Sequence, residues 1–206
     1  MRPFDNTNFL YNLHYNLDRQ GKVRNLYNVN WRIPNNFRKD TSNNTKDLNN
    51  KYLILEQSDR CSSFDYNICE IEKKGFYLTQ IAAYWFNNTS HIIQNHYLNH
   101  KYTMMLVEKC NPIKLEFIAR GYITGSCWKG YQKGNRTICG VNLPDGLTQN
   151  QKFSHEFPII TPTTKGEHDE PISLKEIVDQ GMVTQEQLDF IVKKCTELYK
   201  YGHELC

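Results

Sequence analysis

The chain has no run of eighteen apolar residues, no Cys-x-x-Cys pair, no cluster of basic residues and no basic flank leading into an apolar core at its start. The first absence argues against a membrane-spanning helix, and the last makes the first residues unlike a secretory leader, so none is expected. Cysteines number seven, at 61, 69, 110, 127, 139, 195 and 206. An odd set without paired spacing suggests neither a zinc site nor a disulfide framework, and reduced thiols in a cytoplasmic compartment are the economical reading. Net charge is only +3, from 25 basic and 22 acidic residues, too slight and too dispersed to imply nucleic acid as a partner. A few well-placed cations for anionic metabolites would suffice. What the chain does have is 39% hydrophobic and 13% aromatic content over 206 residues. That length buries roughly 70% of the unfolded surface, enough for one domain with one or two lobes.

The most informative stretch is Ile113 to Ser126, IKLEFIARGYITGS. Leu115, Phe117 and Ala119 alternate with Glu116, Ile118 and Arg120, which reads as a strand. Glu116 and Arg120 are charges in an apolar run, and burying either alone costs several kcal/mol, of order ~3–5, unless it is paired or meets a ligand. Four residues apart on one strand face they stand roughly 13 Å apart, so each needs its own partner. The bend that follows, with Thr124, Gly125 and Ser126, is suited to an anion such as a phosphate; a buried salt bridge followed by an ordinary turn is the structural alternative.

Elsewhere, residues 1 to 18 read as an irregular lead-in. Gly21 then opens a turn in which Lys22 and Arg24, two apart, offer a phosphate cradle or a solvated hairpin face. Residues 35 to 51 are an Asn-rich surface loop without periodicity. Tyr52 to Glu56 is a buried strand, and the polar run from Gln57 to Asp65 is a site candidate whose alternative is a loop capped by Asp59 and Asp65. Leu78, Ile81, Ala82, Trp85 and Phe86 have the spacing of a buried helix face. His91, His96 and His100 lack metal-ligand spacing and read as surface residues. Tyr102 to Glu108 is a further strand, expected to pair with the Ile113 strand through Lys109 to Asn111. Trp128 to Gly134 starts a short helix, and Gly140 to Gly146 is a turn-rich loop. The proline-bounded segment Pro158 to Ser173 crowds Lys165, Glu167, His168, Asp169 and Glu170 and cannot be a regular helix; a solvated loop is its simplest form. The end is a helix with Thr184 as N-cap, Gln187 three residues later, and an apolar stripe through Leu188, Ile191, Val192, Cys195, Leu198 and Tyr199.

The run LEFIARGYITGSCWKGY resembles the signature of the SAICAR synthetase family, phosphoribosylaminoimidazole-succinocarboxamide synthases, in which a Glu-x-x-x-Arg strand leads into Thr/Ala-Gly-Ser; Glu116, Arg120, Thr124, Gly125 and Ser126 fit. The family's usual proline two residues before the glutamate is Lys114 here, with Pro112 two further back. Gly21-Lys22-Val23-Arg24 is similar to the family's nucleotide-phosphate segment, with Asn25 where aspartate is common. Asp59-Arg60-Cys61-Ser62-Ser63-Phe64-Asp65 is similar to its Thr-Asp-Arg-x-Ser-Ala-Phe-Asp element, with Ser63 for the common alanine. Residues from Thr161 to Ser173 resemble its Thr-Pro-Ser/Thr-Thr-Lys and Glu-His-Asp-Glu-x-Ile-Ser elements, with a shorter spacer after Lys165.

The resemblance implies an α+β, two-lobed fold related to ATP-grasp and kinase-like nucleotide binders. A nucleotide-binding lobe with an antiparallel sheet would span residues 1 to 108, and a substrate-binding lobe residues 109 to 206. It implies an ATP-dependent ligase of purine biosynthesis that joins L-aspartate to carboxyaminoimidazole ribonucleotide (CAIR), with ATP as co-substrate and Mg2+ as cofactor. Partners would be the small-molecule substrates CAIR and L-aspartate, with no nucleic acid and no membrane, and a homo-oligomer is compatible with the reading. By the resemblance, Lys22, Asp59, Lys165 and Asp169 serve catalysis. Gly21, Lys22, Arg24 and Glu116 serve the nucleotide, and Arg60, Ser62, Arg120, Ser126, His168 and Asp169 serve the substrate, with no metal ligands assigned. A later family strand, Asp-x-Lys-x-Glu-Phe-Gly, does not occur in the chain. The competing expectations are therefore another ATP-dependent enzyme on a related fold, or a truncated non-catalytic binder or front part of a split enzyme.

Overall fold

The computed structural model describes residues 14–30, 51–63, 66–153, 158–166 and 169–205. It divides into two units, Met1–Asn111 and Pro112–Cys206.

The first unit is built on a five-stranded antiparallel sheet in the order β1-β2-β3-β7-β6. Its strands are β1 (His14–Gln20), β2 (Arg24–Asn30), β3 (Tyr52–Gln57), β6 (Tyr97–Lys101) and β7 (Met104–Glu108). Residues 14 to 18 thus belong to a strand rather than to an irregular lead-in: they pair with β2 across the Gly21 turn, a partner that local sequence does not reveal. Between β3 and β6 come a hairpin, β4 (Arg60–Ser63) with β5 (Tyr66–Glu70), and helix α1 (Lys74–Asn88). The polar run after Tyr52–Gln57 is therefore partly a strand. Period-two alternation sends Tyr52, Ile54 and Leu106 into one core cluster with Val29. Leu55, Met105 and Val107 go into another with Ala83, against which Ala82 and Phe86 also pack.

Helix α1 buries Gly75, Thr79 and Ala83, while Leu78 and Ile81 are exposed together with Tyr77 and Tyr84. The apolar spacing at 78, 81 and 85 therefore does not mark the face that packs deepest. Close approach decides instead: a Cβ on Gly75 would lie 2.4 Å from the Gln57 carbonyl oxygen. The Thr79 hydroxyl donates to the carbonyls of Gly75 and Thr103 at 2.9 and 3.1 Å. His96 and His100 are half-buried rather than on the surface, because His96 packs on Phe86 and His100 is held between Tyr97 and Gln80. No group of three or more His, Cys, Asp or Glu among the described residues is arranged for a metal ion.

In the second unit, β8 (Leu115–Arg120) pairs antiparallel with β11 (Ile159–Thr164), Glu116 opposite Thr163 and Arg120 opposite Ile159. This corrects the expected hairpin with the strand at 102 to 108: that strand is Met104–Glu108, preceded by a turn, and it pairs with β3 and β6 instead. It also turns the front of the Pro158 to Ser173 segment from a solvated loop into a buried strand. Helix α2 (Gly125–Gln132) and the short hairpin β9 (Thr137–Ile138) with β10 (Val141–Asn142) follow β8. Ile123, Cys127, Tyr131, Leu143, Phe153 and Ile159 make one core cluster. Helices α3 (Leu174–Asp179) and α4 (Gln185–Leu205) bring Ile177 and Leu188 into another with Leu115 and Phe117. The N-cap of α4 is as the sequence predicts: Thr184 Oγ1 accepts from Gln187 N–H at 3.2 Å, and Gln187 Oε1 accepts from Thr184 N–H at 2.9 Å.

Candidate functional site

In the first unit the Gly21–Asn25 turn is tied down by its carbonyls. The Gly21 amide donates to the Arg24 carbonyl at 2.7 Å, and a Cβ on Gly21 would stand 3.0 Å from that same oxygen. Ser58 donates to the Val23 carbonyl from both its amide, at 3.0 Å, and its hydroxyl, at 2.9 Å. Arg60 reaches across from β4: Nε donates to the Lys22 carbonyl, and Nη2 donates to the Gly21 carbonyl, each at 3.1 Å. Four successive carbonyl dipoles are thus engaged within the protein, and the cationic side chains Lys22 and Arg24 are exposed. Arg24 lies beside Gln57, whose amide oxygen, turned toward the guanidinium, accepts at 3.0 and 3.1 Å. With its oxygen poles anchored and its cations outward, the turn has the chemistry of an anion cradle.

Asn25 has a physical reason to be neutral. Its Oδ1 accepts from Arg60 Nη2 at 2.9 Å while its Nδ2 donates to Glu56 Oε2 at 2.9 Å, so it serves a cation and a carboxylate together. An aspartate here would meet Glu56 as a like charge. Glu56 also accepts from the Tyr27 hydroxyl at 2.6 Å, and this bond, with burial, pushes the Tyr27 phenol above its ordinary range.

Asp59 caps α1. Its Oδ1 accepts from Gly75 N–H at 2.8 Å and its Oδ2 from Lys73 N–H at 3.2 Å, which is the structural alternative foreseen for it. Arg60 likewise spends its guanidinium on the turn rather than standing open in a pocket. Ser62 is half-buried on β4, opposite Asn67. Asp65, Glu167 and His168 lie outside the described residues.

In the second unit Arg120 ends β8 half-buried, and no carboxylate pairs with it among the described residues. Its Nε donates to Thr161 Oγ1 at 2.8 Å and its Nη2 to Ser126 Oγ at 3.3 Å. Arg120, Ser126, Cys127, Asn135, Thr161 and Thr163 are among the residues lining a cavity of about 250 Å³. Among its described lining residues this cavity has one cation, several neutral hydroxyl and amide groups, and no carboxylate. Ser126 and Cys127 belong to the first turn of α2, whose N–H groups have no partners inside the helix. Gly125, at φ +56°, makes the left-handed step into that turn. Burial pushes the Cys127 and Cys139 thiols up against the opposing pull of the Arg120 guanidinium.

Glu116 does not behave like Arg120. It is half exposed and paired at 2.6 Å with Lys165 Nζ, which also donates to Asp169 Oδ2 at 2.8 Å. The expected cost of a buried Glu116 therefore does not arise. These two carboxylates hold the Lys165 ammonium above its ordinary pKa. Sequence reasoning missed Thr161, Asn135 and Thr163, whose side chains carry no charge signal, and it missed the role of Ser58 and Arg60 in holding the turn.

An antiparallel sheet with a tethered turn carrying exposed cations in one unit, and a strand-end arginine at a hydroxyl-lined cavity in the other, define an α+β protein with candidate anion contacts in each unit. The sequence model of the SAICAR synthetase family matches residues 18–206. The chain belongs to that family. It is 40% identical over 190 residues to the phosphoribosylaminoimidazole-succinocarboxamide synthase of Bacteroides fragilis, covering 90% of this chain and 54% of that protein. It is 42% identical over 157 residues to the chloroplastic enzyme of Arabidopsis thaliana, covering 73% of this chain and 38% of that protein. The structure of the Saccharomyces cerevisiae SAICAR synthase in complex with SAICAR aligns with a TM-score of 0.71 at 28% identity, over 91% of this chain and 62% of that one. A SAICAR synthetase solved with ADP shares the fold at a TM-score of 0.62 and 18% identity. The chain thus spans about half the length of the curated relatives it matches.

Proposed function

We propose that the chain carries the ATP and CAIR sites of a ligase that joins L-aspartate to the CAIR carboxylate, giving SAICAR, ADP and phosphate. The observation that carries this reading is Arg120: a half-buried guanidinium at a cavity wall, bonded to the hydroxyls of Thr161 and Ser126 and without a carboxylate partner among the described residues. An anionic ligand would complete it. In this reading Arg120 and Ser126, with the first turn of α2, grip the ribonucleotide 5′-phosphate. Lys22 and Arg24 face the nucleotide phosphates while Arg60 and Ser58 keep the turn in shape. The first unit would be the nucleotide lobe and the second the substrate lobe, and the ADP complex of a protein with the same fold is in keeping with this.

ATP activates the CAIR carboxylate as an acyl phosphate, and the aspartate amine displaces phosphate. Lys165 is paired with both Glu116 and Asp169, so in this reading it would meet a substrate anion only by leaving one of these carboxylates, with His168 assigned to the substrate by the resemblance. Magnesium would accompany the nucleotide and neutralise charge on its phosphates; among the described residues no group of three or more His, Cys, Asp or Glu is arranged for a metal ion. No helix among the described residues is long and apolar enough to cross a membrane. A cytoplasmic location is part of the proposal, although the compartment varies among relatives, the Arabidopsis one being named chloroplastic.

Family membership supports ligase chemistry over a non-catalytic binder. The test is ADP release from the full chain with ATP, magnesium, CAIR and aspartate, alongside direct binding of CAIR and ATP. Binding of both ligands, and ADP release that requires CAIR, is the expected result. Nucleotide binding indifferent to CAIR, with no CAIR bound, would overturn the reading in favour of a different ATP-dependent enzyme.

A further inference from the structure

Cys61 and Cys69 are eight residues apart in sequence, but the register of the β4–β5 hairpin sets them directly opposite each other. Opposed residues of an antiparallel pair point to the same face, with Cα atoms about 4.5–5.5 Å apart. That separation lies within the roughly 4.4–6.8 Å that a disulfide spans. We propose that Cys61 and Cys69 form a reversible dithiol–disulfide site that gives electrons to low-molecular-weight disulfides of the glutathione type and, once oxidised, takes them back from the corresponding thiols.

Access differs along the pair: Cys69 is exposed and Cys61 half-buried. The Cys69 thiolate attacks one sulfur of glutathione disulfide, forming a mixed disulfide and expelling one glutathione thiolate. Cys61, deprotonated in turn, attacks the Cys69 sulfur, forms the cross-strand bond and releases the second glutathione. Two protein thiols lose two protons and two electrons, and one glutathione disulfide becomes two glutathione thiols. The bond adds a covalent rung beside Arg60, the strand residue that holds the Gly21 and Lys22 carbonyls.

The other described cysteines are set up differently. Cys127, Cys139 and Cys195 have thiol pKa values pushed up by burial, which lowers their thiolate fraction. Cys110 is exposed but lies outside the strands, without an opposed cysteine, and serves as an internal control.

The test treats the reduced full chain with glutathione disulfide, then maps thiols by mass spectrometry after cleavage at Phe64 and Tyr66, which leaves the two cysteines on peptides joined only through sulfur. The expected result is a Cys61–Cys69 linkage reversed by dithiothreitol, with Cys110 recovered as a glutathione adduct. In Cys61→Ser, where the resolving thiol is gone, the Cys69 adduct should accumulate at least about tenfold over wild type, because intramolecular attack no longer removes it. Circular dichroism of both proteins checks that they are folded. A Cys69 adduct as abundant in folded wild type as in Cys61→Ser, or a Cys69 that stays a free thiol while Cys110 reacts, would overturn the proposal.

Discussion

The turn of the first unit and the cavity of the second both present arginine, yet they use it in opposite ways. Arg60 points its donors at backbone carbonyls and acts through the turn, leaving Lys22 and Arg24 outward. Arg120 is held by two hydroxyls at the cavity wall, with no carboxylate partner among the described residues. A guanidinium satisfied by carbonyls shapes a site, whereas one met by neutral hydroxyls keeps the capacity for a stronger, charge-assisted bond to an anion, which is what the proposal for Arg120 uses.

The largest effect should come from the support of the turn. Gly75→Ala drives a Cβ against the Gln57 carbonyl, which is backbone and cannot swing aside, so a loss of about 3 kcal/mol in unfolding free energy is expected. Gly121→Ala, next to Arg120, meets the Tyr199 hydroxyl at 1.7 Å, the far end of a movable side chain, and should cost less. Equal thermal destabilisation by the two would break the contrast. Arg60→Ala comes next. It removes charged donors from the turn and should weaken ATP binding by about 1.5–3 kcal/mol, roughly tenfold or more, with CAIR binding retained. Calorimetry with each ligand reads this directly.

Thr161→Val, close in shape, takes away the acceptor of Arg120 Nε and should reduce CAIR affinity by about 1 kcal/mol, around fivefold, leaving ATP alone. The smallest effect is on pH dependence. Burial holds His96 and His100 in the first unit below the ordinary histidine pKa of 6.5. Both are neutral in the folded and unfolded chain well above that value, where their contribution to stability is fully present. As pH falls below 6.5 the unfolded chain takes up protons that the folded chain resists, and stability declines toward the folded pKa. Melting temperatures between pH 7.5 and 5.5 should fall modestly, and less so in a His96→Gln, His100→Gln double variant.

Local signals were legible where chemistry is local. The Thr184–Gln187 capping box, the Tyr52 strand and the Gly21 turn all depend on neighbours in sequence. The partner of β8 was hidden because β11 lies about forty residues away, and the nearer strand at 104 to 108 offered an equally apolar edge. The buried face of α1 was ambiguous because apolar residues at 77, 78, 81, 82 and 84 to 86 ring the helix. Glycine and threonine at 75 and 79, which carry no hydrophobic signal, mark its deepest contact. Of the site residues, Arg120 and Ser126 were readable from an isolated charge before a small polar bend. Arg60 was readable only as a cation, since a clamp and a ligand look alike until its carbonyl partners are placed. Cys61 and Cys69 looked unrelated until register opposed them.

The central claim is that Arg120 is reserved for the ribonucleotide phosphate and takes no part in binding ATP. Calorimetric titration of CAIR and of ATP into wild type and Arg120→Ala tests it. Affinity for CAIR should drop about tenfold to a hundredfold while that for ATP changes by less than about twofold. Equal losses for the two ligands, or undiminished CAIR binding by a folded variant, would contradict the account.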